Sequence, residues 1–172
     1  GISEAVVTVQ YLAANIRSYF GDGAEYGIRL SYATESVPLG TAGSVKNAER
    51  GLRGEPFLVV SGDALTDIDL TALLEFHRST GAVVTVAMAR KPNVLDFGNV
   101  TTADDGRVER FIEKPSWGQV VSDTVNTGIY VMEPEVLDLV PSDERTDWAL
   151  DILPQLLAAG RPIYGYVTDA YW

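Results

Sequence analysis

Short apolar runs alternate with stretches whose apolar positions recur at helical spacing, and over 172 residues that alternation predicts an α/β sheet. Ala5 to Val9 reads as a strand. Leu12, Ile16, Tyr19 and Phe20 then form one face of an amphipathic helix, which Gly21-Asp22-Gly23 stops. Ile28 to Tyr32 is a second strand, and a helix follows from about Thr41 to Leu52. Phe57-Leu58-Val59-Val60 is apolar without interruption, so this run, like Ala5 to Val9, is expected to be buried on both faces. Asp69 stands where a carboxylate caps a helix whose inner face is Leu70, Leu73, Leu74 and His77. Ala82 to Met88 is another buried strand. Between Phe97 and Ile112 the turn Asp104-Asp105-Gly106 divides two short strands, a hairpin that makes the sheet mixed rather than purely parallel. Thr127 to Met132 is a strand and Pro134 to Leu139 a short helix. A further helix starts near Asp151, with Pro154 in its first turn and Leu153, Leu156 and Leu157 inward, before a last strand from Ile163 to Val167.

Composition narrows the function classes. The chain carries 13 Lys plus Arg against 24 Asp plus Glu, a net charge of −11, so no basic surface suits nucleic acid or an anionic membrane. With no cysteine, disulfides, thiolate nucleophiles, zinc fingers and iron–sulfur ligation are excluded. No apolar stretch reaches the roughly 20 residues of a membrane span. A single soluble domain of a reducing, cytoplasmic compartment is the expectation.

Candidate chemistry sits where the strands end, because ligands of open α/β sheets bind beyond the carboxyl ends of the strands. Asp63, after Ser61-Gly62, fits a Mg²⁺ ligand, and equally fits an Asx turn closing the strand. Leu39-Gly40-Thr41-Ala42-Gly43 opens a helix, where free N–H groups favour an anionic or hydrogen-bonding ligand or serve ordinary capping. Glu113-Lys114-Pro115 offers a carboxylate to sugar hydroxyls and an ammonium to a phosphate, or is a solvated ion pair. Asn126-Thr127-Gly128 presents an amide and a bare backbone to a ligand or merely starts a strand, and Gly98 has the same two readings. His77, the single histidine, reads as structural. Asp67-Ile68-Asp69 looks like an Asp-x-Asp metal motif, but its place before a helix favours capping.

The order of these segments is more specific than any one of them. Pro38-Leu39-Gly40-Thr41-Ala42-Gly43, Ser61-Gly62-Asp63, Phe111-Ile112-Glu113-Lys114-Pro115 and Asn126-Thr127-Gly128-Ile129-Tyr130, in that series, resemble the nucleoside-diphosphate-sugar pyrophosphorylases, the sugar-1-phosphate nucleotidyltransferases. Within that family the likeness is strongest to bacterial mannose-1-phosphate guanylyltransferases. The resemblance implies a Rossmann-like three-layer sandwich with a mostly parallel, mixed sheet, the nucleotide-diphospho-sugar transferase fold. It implies that Leu39, Gly40, Thr41 and Ala42, with Gly62, bind the nucleotide. Asp63 would bind Mg²⁺, Glu113 would contact sugar hydroxyls, and Lys114 would hold the sugar phosphate. Gly98, Asn126, Thr127 and Gly128 would line the hexose pocket.

The implied partners are a nucleoside triphosphate and a sugar 1-phosphate, with a homo-oligomer of the full-length protein left open. The family's Gly-Gly-x-Gly-Thr-Arg-Leu loop and following Pro-Lys-Pro are not among residues 1–172. The chain is therefore expected to be part of a catalytic domain, without its first strand, its phosphate loop and its C-terminal end, and to be inactive alone. Two other readings stay open: a non-catalytic subunit of the same fold, and a retaining glycosyltransferase using Asp67 and Asp69. Uridylyl or thymidylyl transfer to glucose 1-phosphate is the alternative chemistry.

Overall fold

The computed structural model describes residues 1–52 and 54–172. Strand β1 (Glu4–Val9) pairs in parallel with β2 (Arg29–Thr34), and helix α1 (Ala13–Phe20) connects them. Helix α2 (Gly40–Asn47), β3 (Phe57–Val59), α3 (Leu70–Thr80) and β4 (Val84–Arg90) follow, then the hairpin of β5 (Gly98–Thr102) and β6 (Val108–Glu113). The chain closes with β7 (Thr124–Met132), α4 (Leu153–Ala158) and β8 (Ile163–Thr168). Six strands form one sheet in the order β6-β5-β7-β4-β8, with β3 also on β7, while β1 and β2 form a sheet of their own.

Strand β7 organises the larger sheet. It lies antiparallel to β4 on one side and to both β3 and β5, and β8 is parallel to β4. The mixed character expected from the hairpin is thus present, with Gly106 at φ +85° in the turn. Apolar residues on both faces of β4 and β7 build two cores. Val84, Val86, Met88, Tyr130 and Met132 pack with Ala42, Trp148, Ile152, Leu153 and Leu156 on one side. Ala87, Ile129 and Val131 pack with Ile68 and Leu73 on the other. Helices therefore cover the sheet on both faces, which is the three-layer sandwich.

Asp69 caps α3 as the sequence suggests, accepting from the N–H groups of Thr71 and Ala72 at 2.9 and 3.0 Å. Such a cap stabilises a helix by about 1 kcal/mol. His77 is 1% exposed and packs structurally, its Nδ1 2.8 Å from the Thr85 hydroxyl and its Nε2 3.3 Å from the Glu133 carboxylate. Burial lowers its pKa, against the pull of Glu133.

Three expectations are corrected. Of β1 only Val9 is buried, and in the other run Leu58 and Val59 are half-buried while Val60 is 43% exposed. Neither run is fully buried, although Phe57 and Val59 pack against one core and Leu58 against the other; among the described residues β1 pairs only with β2 and β3 only with β7. The apolar face read for α1 is uncovered, with Tyr19 72% and Phe20 41% exposed and no buried residue in the helix. The last helical segment begins earlier than Asp151. Asp147 caps a π-helical turn, Trp148–Ile152, which runs into α4 with Pro154 in the first turn of the α-helix proper.

Candidate active site

The turn after β3 closes through backbone alone, the Ala64 N–H donating to the Ser61 carbonyl at 3.1 Å. Asp63 is exposed and has no hydrogen-bond or ion-pair partner among the described residues, so its carboxylate is not what closes the turn. It borders an open cleft of about 430 Å³ with Ser61, Thr127, Tyr171 and Trp172, and Gly62 lies in the same exposed turn. Asp67 and Asp69 are engaged elsewhere: Asp67 accepts from the Tyr171 N–H at 2.7 Å, and Asp69 caps α3. No group of three or more His, Asp or Glu side chains among the described residues could hold a metal by itself. Mg²⁺ needs only one or two carboxylates when water and phosphate oxygens complete its octahedron, so the free Asp63 fits that donor set.

The start of α2 is tied to a distant segment. The N–H groups of Ala42 and Gly43 both donate to the Thr146 carbonyl, at 2.9 and 3.2 Å, and Thr146 N–H returns a bond to Leu39 O at 2.9 Å. These two donors are therefore not free for an anion. Leu39 and Ala42 are buried, Gly40 is half-buried, and Thr41 is exposed. The Thr41 hydroxyl donates to Asp147 Oδ2 at 2.8 Å and accepts from the Trp148 N–H at 2.9 Å. Close contact is possible because Gly40 and Gly43 lack side chains. A Cβ at either position would lie 2.6 Å from a backbone oxygen, of Thr146 and Glu144 respectively.

At the end of β6, Glu113 sits opposite Gly98 in the hairpin register. A Cβ on Gly98 would lie 2.8 Å from Glu113 Oε2, so the carboxylate occupies the space that the glycine leaves. Burial first, and the nearby Asp147 second, raise the Glu113 pKa, while Lys114 opposes them. Lys114 itself is a non-glycine residue at φ +45°, held there by its N–H bond to Phe97 O at 3.1 Å and followed by the buried Pro115. Strained backbone of this kind costs on the order of 1–3 kcal/mol and clusters at functional sites. Its ammonium group joins no ion pair or hydrogen bond among the described residues.

A raised carboxyl pKa has a defined consequence for stability. The fold favours the neutral acid, so that contribution is complete below the ordinary range and is lost as pH rises through the elevated value. Glu113→Gln is accordingly expected to melt with the parent at about pH 4 and above it at about pH 7. Thermal melts at the two pH values check this, and an equal offset at both would contradict it.

Strand β7 reaches the site through a bulge. Val86 pairs with Tyr130 and Met88 with Asn126, so β7 uses four residues where β4 uses two. Gly128 takes φ +76°, and side chains replace the missing ladder bonds. Thr127 Oγ1 donates to Ala87 O at 2.8 Å, and Asn126 Oδ1 accepts from the Gly128 N–H at 3.0 Å. Asn126 and Thr127 thus build the bulge, with Thr127 also lining the cleft beside Asp63.

Sequence reasoning missed Asp147. Its carboxylate binds Thr41, caps the Trp148 turn through the Ala149 and Leu150 N–H groups, and acts electrostatically on Glu113 and Tyr130. The signal was available: an Asp ahead of an apolar run, with Asp151 four residues on accepting from the Asp147 N–H at 2.8 Å.

Comparison with known proteins gives this arrangement a context. The UTP–glucose-1-phosphate uridylyltransferase of Synechocystis sp. is 36% identical, and the mannose-1-phosphate guanylyltransferase of Mycobacterium tuberculosis 38% identical, each over 100% of this chain and 48% of the relative. The chain thus spans about half the length of these curated relatives. The crystal structure of HddC from Yersinia pseudotuberculosis superposes with a TM-score of 0.83 at 23% identity, over 99% of this chain and 72% of that one, a likeness of fold. The family model described as nucleotidyl transferase matches residues 1–172, and the chain belongs to that family.

Proposed function

We propose that this chain forms the sugar-side part of a cytoplasmic sugar-1-phosphate nucleotidyltransferase that uses GTP and mannose 1-phosphate. The observation that carries the reading is whole-chain similarity to two proteins whose names share one reaction type, nucleotidyl transfer to a hexose 1-phosphate. Mannose and guanine follow the Mycobacterium tuberculosis relative, which several other mannose-1-phosphate guanylyltransferases accompany. No helix among the described residues is long and apolar enough to cross a membrane.

In the proposed reaction an oxygen of the sugar 1-phosphate attacks the α-phosphorus of the nucleoside triphosphate. A phosphorus–oxygen bond forms, the bond to the bridging oxygen breaks, and pyrophosphate leaves with the electron pair. The attacking group is already an anion at neutral pH, so no general base is required. Lys114 orients that anion, its ammonium group joining no ion pair or hydrogen bond among the described residues. Glu113 accepts from hexose hydroxyls. Segment 39–42 contacts the nucleotide, held in place by Thr146 and Asp147. Asp63 would hold Mg²⁺, which when bound supplies charge neutralisation at the phosphates.

Pyrophosphate release by the full-length protein, measured with GTP or UTP against mannose 1-phosphate or glucose 1-phosphate, tests the reading. GTP with mannose 1-phosphate is expected to give the highest kcat/KM. A maximum with UTP and glucose 1-phosphate would favour the second reading, for which the Synechocystis relative speaks. Release from no pair would leave a non-catalytic subunit.

A further inference from the structure

The bulge in β7 leaves the Asn126 amide held at both ends. Its Oδ1 accepts from the Gly128 N–H at 3.0 Å, and its Nδ2 donates to the Tyr130 hydroxyl at 2.7 Å. An amide side chain otherwise turns about its terminal torsion and can present either end. The Gly128 N–H accepts no substitute for an oxygen, so it dictates which end is which. The Tyr130 oxygen then fixes the plane. What remains unengaged is one Nδ2 hydrogen and one Oδ1 lone pair, a donor beside an acceptor, which is the pattern a sugar hydroxyl matches.

Tyr130 is itself placed with care by the fold. It is 4% exposed, in the main core, and paired with Val59 of β3 and Val86 of β4 in the ladder. Its hydroxyl is the polar end of an otherwise apolar burial, and Asn126 is the only hydrogen-bond partner given to it among the described residues. The groups that act on it electrostatically are the carboxylates of Asp147 and Glu113, one from the segment clamped to α2 and one from the end of β6. Burial, with those two charges, pushes the phenol well above its ordinary range, while the Asn126 bond pulls the other way. It stays a neutral hydroxyl at any working pH.

We infer that Tyr130 is a positioning residue for hexose recognition: its buried hydroxyl locks the Asn126 amide so that one donor and one acceptor stay fixed for a single sugar hydroxyl. This rests on the proposed reading of the site as a hexose 1-phosphate pocket. Tyr130 acts through Asn126 and touches no reacting atom. The role differs from that of a core aromatic, whose loss would lower stability and impair both substrates alike.

A double-mutant cycle in the full-length enzyme tests it, with GTP and mannose 1-phosphate as substrates. Tyr130→Phe is expected to raise KM for mannose 1-phosphate by about 3- to 10-fold, leaving KM for GTP and the melting temperature near the parent's. Asn126→Ala should raise the same KM by at least as much, and adding Tyr130→Phe to it should then change nothing beyond about 2-fold. Additive losses, or equal losses for GTP, would overturn the inference. Asn126→Ala without effect on mannose 1-phosphate would instead sink the hexose-pocket reading. If Tyr130→Phe fails to fold, hydrogen exchange at the Asn126 side chain of the parent decides: one protected and one fast Nδ2 hydrogen is expected, and two fast ones would refute the lock.

Discussion

Lys114→Ala in the full-length protein is expected to raise KM for the sugar 1-phosphate by about 10- to 150-fold, the factor that losing a charge-assisted contact of about 1.5–3 kcal/mol produces. Binding of the nucleoside triphosphate alone should be nearly unchanged. The asymmetry follows from the geometry: among the described residues the ammonium group joins no ion pair or hydrogen bond, so its removal breaks no salt bridge and costs chiefly what the ligand gained. Stability should change little, since an αL backbone is no easier for Lys than for Ala and Lys114 only moderates the charge of Glu113. Titration calorimetry with GTP, beside steady-state kinetics for mannose 1-phosphate, separates the two. Equal losses for both substrates would contradict the assignment of Lys114 to the sugar phosphate.

Gly40→Ala is expected to be strongly destabilising. Two independent penalties meet there. A φ of +76° is costly for any residue with a Cβ, by about 1–3 kcal/mol. The new Cβ would also press on the Thr146 carbonyl at 2.6 Å, and that carbonyl cannot retreat without breaking its bonds from Ala42 and Gly43. Overpacking of this kind costs a further ~1–3 kcal/mol, for a total of about 2–6 kcal/mol. Urea unfolding measures it, with Gly118→Ala as the control, because a Cβ at Gly118 meets nothing within 4 Å. A midpoint unchanged from the parent's would mean that the segment around Thr146 is not held as described.

Much of this was legible in the sequence, for physical reasons that differ by element. Strands β4 and β7 announce themselves because a strand covered on both faces must be apolar at successive positions, and the β5–β6 hairpin because Asp104-Asp105-Gly106 suits its turn. Asp63 and Lys114 stood out from their places at strand ends, and Asn126 from the bare backbone of Gly128 two residues on. Residue type does not record coverage, however: α1 carries a helical apolar face that no other described element buries, and the apolar run 57–60 ends with Val60 43% exposed. The clamp on α2 was equally invisible, since Thr41 and Asp147 are 106 residues apart and neither looks unusual in its own neighbourhood. Pro154 drew attention as a helix start while the true cap, Asp147, lay ahead of an irregular turn that helical periodicity does not describe.

The four-for-two mismatch between β7 and β4 has a consequence for how this chain tolerates change in length. Deleting two residues from the bulge would restore an uninterrupted ladder, and each flanking residue would keep its face because the side-chain period of a strand is two. Such a shortened chain loses no register in Tyr130-Val131-Met132 against β3, yet it discards the Gly128 N–H that holds the Asn126 amide. A deletion of two residues at this point is therefore neutral for the sheet and costs only the bulge, whereas a deletion of one turns half the strand inside out.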